Sequence, residues 1–180
     1  MNIFVLDLDP KKCAEYHANK HVVKMITEHN QIFGSIAYLA RDIKKKKEIT
    51  DDFTQKHFQN FPRKKNGEIH PYGIGYINHP CTKWAAESNK NYDWLVKMNL
   101  ELCKVYSKRY HNRIHKGEAI TKWYDKNRPK LPNIEMTPFA LAMPDDVKNS
   151  DPVIAYRNYY KKYKKDIVVW PENEIPGWFK

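Results

Sequence analysis

Four apolar residues, Ile3, Phe4, Val5 and Leu6, precede the first charges of the chain. The run predicts a short buried strand or extended segment over residues 3–8. Asp9-Pro10 then reads as a helix start, because Asp accepts from the free N–H groups of a first turn and Pro fits the first helical position. The spacing of Val22, Ile26 and Ile32 carries that helix to about Leu39, with a break expected near Gly34. Pro80 opens a second long helix. Leu95, Met98, Leu102 and Val105 form its core face, and Lys97, Glu101, Lys104 and Lys108 its wet side. It gives way at Tyr110-His111-Asn112-Arg113. Asp151-Pro152 repeats the Asp-Pro start and opens a third helix through Tyr156–Lys165. Residues 41–75 read as a basic loop with a turn at Asn66-Gly67, pinned to the core by Phe53, Phe58 and Phe61. Pro129, Pro132, Pro138 and Pro144 make residues 128–150 loop. The aromatic end, Trp170-Pro171 to Trp178-Phe179, is expected to pack back as irregular chain. The pattern predicts a mainly α fold: one domain over residues 1–180, about three long packed helices, an extended N-terminal segment and irregular loops.

Composition adds a partner. The 180 residues are enough for one core without disulfides or metal, and 32 Lys+Arg against 21 Asp+Glu give a net charge of +11. Such a charge favours an anionic partner. Many of the 12 Tyr and 5 Trp stand beside Lys or Arg, a pairing that lets rings stack on bases while cations hold phosphates. Trp94 and Phe33 are assigned to the core. Cys13, Cys81 and Cys103 lack metal-type spacing and read as reduced thiols of a cytosolic protein. No apolar run is long enough to span a membrane, and Asp7 and Asp9 argue against a signal peptide. Asp7-Leu8-Asp9 evokes the paired aspartates of haloacid dehalogenase phosphatases. The Gly-Thr that should follow is replaced by Pro10, so a segment end and helix cap is the better reading.

On a wheel advancing ~100° per residue, His17, Lys20, His21, Lys24 and Glu28 fall within roughly a 100° arc. Crowded like charges and partial burial lower an amine's pKa and expose its lone pair. Lys24, or Lys20, then suits attack on a sugar C1′, with Glu28 as the carboxylate that relays protons or steadies positive charge. His17 and His21 also permit a metal site, completed by Glu28, His79 or Asp7, although lysines are poor neighbours for a cation. A third alternative is a nucleic-acid-binding protein without catalysis.

Three stretches resemble a known family, the phage pyrimidine-dimer DNA glycosylases of the T4 endonuclease V type. One is the extended N-terminal segment leading into a helix, with His17 placed like the family's early histidine. Another is Gly75-Tyr76-Ile77-Asn78-His79-Pro80 entering the helix that holds Tyr92-Asp93-Trp94-Leu95 and ends Lys108-Arg109-Tyr110. The last is Tyr156-Arg157-Asn158-Tyr159-Tyr160-Lys161, similar to the family's aromatic stretch near DNA. The resemblance implies an all-α fold, base flipping, cleavage of the glycosidic bond at a cyclobutane dimer, and β-elimination at the abasic site, without a cofactor. It implies a monomer acting on damaged double-stranded DNA in the cytoplasm of a bacterial host, with no membrane partner. Binding would use the 41–65 loop, Lys83, Arg109, Arg113, Arg157, Tyr159, Tyr160 and Lys161, with His79 and Trp84 lining the damaged-base pocket. The family attacks with the α-amine of a Thr exposed by removal of Met; here residue 2 is Asn. Either Met1 or a lysine must therefore serve. Lys24 best matches the position of the family's catalytic Glu, and Glu28 follows one turn later.

Overall fold

In a computed structural model describing residues 2–69 and 71–180, seven α-helices carry the fold: α1 (Pro10–Tyr16), α2 (Asn19–Leu39), α3 (Asp51–His57), α4 (Pro80–Glu87), α5 (Asn89–Arg109), α6 (Gly117–Lys126) and α7 (Pro152–Tyr159). Among the described residues there is no β-strand. The mainly α expectation holds. Two helices, not three, are long: α2 and α5 have 21 residues each, whereas α7 has 8 and passes into a π-helical turn at Tyr160–Lys164.

The Asp-Pro starts form as expected. Asp9 accepts from the Lys12 N–H at 2.8 Å, and Asp151 from those of Val153 and Ile154 at 2.7 and 3.3 Å. The first long helix breaks elsewhere than expected. It stops at Tyr16, runs extended through His17 and Ala18, and restarts at Asn19. Helix ends leave N–H and C=O groups without intrahelical partners. Arg109, on α5, donates to the Glu15 and His17 carbonyls at 2.9 and 2.7 Å, and the Asn19 N–H finds the Val169 carbonyl at 2.8 Å. Gly34, by contrast, lies inside α2. A Cβ there would meet the Tyr72 carbonyl at 2.9 Å, so glycine lets the 72–76 loop lie against the helix. Ser35 then fixes that loop, donating to the Gly75 carbonyl at 2.6 Å.

The expected second helix is likewise two. Ser88 ends α4 and caps α5, its hydroxyl accepting from the Asn91 N–H at 3.0 Å. The core face of α5 is as expected, with Leu95, Met98, Leu102 and Val105 buried, and α5 packs against α1, α2, α4 and α6. Each such side chain contributes ~1.5–3 kcal/mol on burial. Phe58 and Phe61 are buried against Trp123 and pin the 41–75 segment, which contains α3 where loop was expected. Gly67 turns it with φ +84°. The C-terminal aromatics pack back, Trp170 and Trp178 lying around Tyr160.

The extended segment 3–6 is fully enclosed. Phe4 meets the rings of His21, Tyr156, Tyr159 and Tyr160, and Arg157 donates to the Leu6 carbonyl at 3.0 Å. The amino-terminal segment is thus clamped between α2 and α7. No helix among the described residues is long and apolar enough to cross a membrane.

Candidate active site

The helix-face constellation divides. His17 caps the end of α1 and lies in the core, its Nδ1–H donating to the Cys13 carbonyl at 2.7 Å. Its Nε2 has no hydrogen-bond partner among the described residues, and burial lowers its pKa to about 3. The break at residues 17–18 removes it from the wheel on which it was grouped. His21 is buried too, stacked on Phe4 and hydrogen-bonded to the Tyr160 hydroxyl at 2.6 Å. Burial, and then the charges of Lys164 and Lys24, lower its pKa to about 4. The pair expected to share a metal ion is held in separate internal contacts. No group of three or more His, Cys, Asp or Glu positioned for a metal occurs among the described residues.

Lys20, Lys24 and Glu28 do lie along one side of α2. Lys20 and Lys24 are exposed, with 68% of the Lys24 side chain in solvent, so the partial burial expected of these amines is absent. The Glu28 side chain is only 12% exposed, and the Lys24 ammonium lies 3.2 Å from its Oε1.

Around Glu28 stand residues that periodicity does not single out. His29 is fully buried, its Nδ1 3.0 Å from Asn99 Oδ1. Asn99 donates its amide to Thr121 Oγ1 at 2.9 Å, which turns its oxygen to His29 and places the imidazole proton on Nδ1. Burial lowers the His29 pKa to about 4, opposed first by the hydrogen bond to Asn99 and then by Glu28 and the Asn2 backbone. The Asn2 backbone is near His29 without a well-formed hydrogen bond, for Nε2 has no such partner among the described residues.

Asn2 itself is 9% exposed. Its amide donates to the Ala142 carbonyl at 2.9 Å. Its oxygen accepts from the Ile3 N–H at 2.8 Å and faces the Tyr156 hydroxyl at 3.0 Å and the Cys81 thiol at 3.4 Å. Burial pushes the Cys81 thiol up to about 11, and the Glu28 charge adds to the rise. Cys81 is therefore a neutral donor at pH 7 and not a nucleophile.

His79 caps α4. Its Nδ1 accepts from the Cys81 N–H at 3.1 Å, which leaves the proton on Nε2. Burial lowers its pKa, opposed by Glu28. His29, His79 and Cys81 thus all lie within the field of one shielded carboxylate, which is able to steady a developing cation or take up a proton.

The expected DNA contacts also divide. Lys83, Arg113 and Lys161 are exposed. Trp84 is buried, stacked on Phe139 and donating to the Thr137 carbonyl at 3.2 Å, so it lines no surface pocket. Tyr160 is core. The Arg109 side chain is 3% exposed and occupied in joining α1 to α2 and in pairing with Glu174. Arg157 lies between Tyr16 and Trp178, close to Asp7. Tyr159 is half-buried between Phe4 and Tyr163. These five face inward because the amino-terminal segment and the aromatic tail must be held. Lys164, in the Lys-rich stretch expected to face DNA, joins Lys24 in lowering the His21 pKa and so brings a cation near α2. Met1 lies outside the described residues. A broad polar groove lined by Asp51, Gln55, Asn60 and Arg63 belongs to the α3 insert and includes none of these residues.

Residues 1–117 match the family model described as pyrimidine dimer DNA glycosylase. The match takes in Asn2, Glu28, His29, His79, Cys81 and Asn99, and stops before Ala142 and Tyr156. Neither the curated proteins nor the solved structures gave a significant match.

Proposed function

The chain belongs to the pyrimidine dimer DNA glycosylase family and acts on DNA, and we propose that it excises the damaged pyrimidine by an amine route with Glu28 as the essential carboxylate. In this reading an amine attacks C1′ of the flipped nucleotide. The C1′–N1 bond breaks, its electron pair leaves with the base, and the opened sugar becomes a protonated Schiff base. Loss of the C2′ proton then expels the 3′-phosphate by β-elimination, and water releases the amine. Glu28 stabilises the cationic sugar and accepts protons. The substrate is double-stranded DNA carrying a cyclobutane dimer, and the enzyme works as a monomer.

The observation that carries the reading is the shielded Glu28 carboxylate, whose charge reaches His29, His79 and Cys81, the last in contact with buried Asn2. It favours the α-amine of Met1 as nucleophile. A free α-amine has a reference pKa about 2.5 units below that of lysine, so at pH 7 its neutral form is roughly 300-fold more abundant. Lys24 is the second candidate, on the strength of its 3.2 Å approach to Glu28. DNA would lie over the exposed cations Lys20, Lys24, Lys83, Arg113 and Lys161, the half-buried Lys164 and the basic 44–47 stretch, with His79 Nε2–H at the rim.

Borohydride trapping on abasic duplex DNA, with mass mapping of the adduct, tests this. The wild type is expected to give an adduct on the α-amine, Lys24→Ala to keep it, and Glu28→Gln to lose turnover by about 10²–10⁴-fold. An adduct on Lys24 overturns the choice of nucleophile; no adduct with any variant overturns the amine route.

A further inference from the structure

Among the described residues, the non-glycine positions with positive φ are Asp42, Asn60, Tyr76, His111 and Asn112. Asp, Asn and His enter this left-handed region at modest cost, whereas a bulky aromatic there is an outlier. Tyr76 holds φ +58° one place after Gly75, and neither Gly75 nor Gly73 has a positive φ. The strain therefore falls on the tyrosine although glycine stands next to it. The turn that carries it is tethered at both ends. Ser35 donates to the Gly75 carbonyl at 2.6 Å and accepts from its N–H at 3.2 Å, and the Tyr76 carbonyl accepts from the His79 N–H at 2.9 Å. Ser35 stands two turns beyond Glu28 on α2, about 10 Å along the axis. His79 lies within the field of Glu28. The turn is thus strung along the helix that carries the shielded carboxylate.

From this fixed support Tyr76 projects into solvent. It is 65% exposed, and its side chain meets no ring and no hydrogen-bond partner among the described residues. Tyr38, Tyr92, Tyr124, Tyr156 and Tyr160, by contrast, are buried. A Cβ at Gly73 or Gly75 would meet nothing within 4 Å, so the backbone leading to the ring is bare and open to a close approach. Lys83, one turn into α4 from His79, is an exposed cation.

We propose that Tyr76 is a wedge residue: when the damaged nucleotide leaves the duplex for the site at Glu28, the Tyr76 ring enters the vacated place and stacks on the neighbouring base. The inference rests on excision from duplex DNA as proposed above, and on neither choice of nucleophile. A base inside a duplex is reached only by taking it out of the stack, at a cost in lost stacking. An inserted aromatic ring restores part of that stacking. A ring already held outward on a tethered turn has little freedom left to lose on insertion, and strain of this kind persists where it holds a group ready for use.

The test compares wild type, Tyr76→Gly and Tyr76→Phe. Single-turnover cleavage of the glycosidic bond, read as alkali-labile breaks, is measured on a duplex whose cyclobutane dimer faces its adenines and on one whose dimer faces mismatched bases. Kd for undamaged duplex and Tm are measured beside it. Tyr76→Gly removes the ring and relieves the backbone, so its Tm is expected at or above that of wild type. Its cleavage of the paired duplex is expected to fall about 5- to 150-fold, the worth of one stacked base. On the mismatched duplex, where less stacking has to be given up, that deficit is expected to shrink by about threefold or more. Tyr76→Phe keeps the ring and is expected within about threefold of wild type. Kd for undamaged duplex is expected to stay within about twofold in both variants, since no base has left the stack. Wild-type cleavage by Tyr76→Gly overturns the inference. So does an equal deficit on paired and mismatched dimers, or a Tyr76→Phe as slow as Tyr76→Gly. A wild type that binds the dimer duplex without cutting the glycosidic bond removes the reading on which the inference stands.

Discussion

Lowering the pH from 7 to 5 should unfold much of this protein's stability margin, and three histidines carry the effect. His17, His21 and His29 have folded pKa values of about 3, 4 and 4, in each case chiefly because burial disfavours the imidazolium. Unfolded, each returns to about 6.5. The unfolded state therefore binds more protons throughout the interval between the two values, and stability falls as pH drops through it. Between pH 7 and pH 5 each histidine removes about 2 kcal/mol, and the three together about 5–6 kcal/mol. A domain of this size commonly has only ~5–15 kcal/mol in all. Carboxylate titration centres below this window, so the histidines dominate it. Urea denaturation at pH 7, 6 and 5 reads the loss as a fall in midpoint, and NMR titration of the imidazole Cε1–H signals identifies the groups. His17→Gln should reduce the pH dependence by about a third, whatever its effect at pH 7. A midpoint that stays level from pH 7 to 5, or a His17 signal titrating near 6.5 in the folded protein, would refute the burial argument.

Gly34→Ala should cost about 1–3 kcal/mol in thermal unfolding, because its Cβ would sit 2.9 Å from the Tyr72 carbonyl and 3.2 Å from the Tyr124 hydroxyl. Asn99→Ala strands the His29 Nδ1–H and takes from the Thr121 hydroxyl oxygen the amide N–H it accepts, and should cost about 2–4 kcal/mol by urea denaturation. Lys164→Ala should leave stability near wild type and reduce the slope of log K against log salt for duplex binding by about 0.9, one phosphate contact. Arg109→Ala should do the reverse, losing about 3 kcal/mol of stability with the salt slope unchanged, since its guanidinium holds the Glu15 and His17 carbonyls.

What the sequence made legible follows from how local each signal is. Asp9-Pro10 and Asp151-Pro152 announce helix starts because the capping atom and the capped N–H lie within three residues. The core face of α5 is visible because its period, Leu95 to Val105, repeats over about three turns. The break at His17-Ala18 is not, for Tyr16-His17-Ala18-Asn19 holds neither Gly nor Pro and the residue that stabilises it, Arg109, is 92 positions from His17. That one break misplaced His17 and enlarged the helix-face cluster. Glu28 stands out in sequence by its charge on a polar face. His29 and Cys81, which feel that charge, do not, because they come within its reach only when α2 and α4 pack together. Arg109, Arg157 and Tyr160 were read as surface for a related reason: in a basic, aromatic chain, composition cannot separate a cation that greets phosphate from one that ties two segments together.

The clamp on Asn2 also sets a schedule. Residue 2 leaves the ribosome 154 residues ahead of Tyr156. At ordinary synthesis rates of ~5–20 residues per second that gap is about 8–30 s. Throughout it the segment at residues 2–6 lacks its α7 wall, while α2 and α5 already have each other. Only when Tyr156, Arg157 and Tyr160 arrive do Phe4 and the Leu6 carbonyl gain their last partners. The first residues to be made are therefore among the last to be fully enclosed.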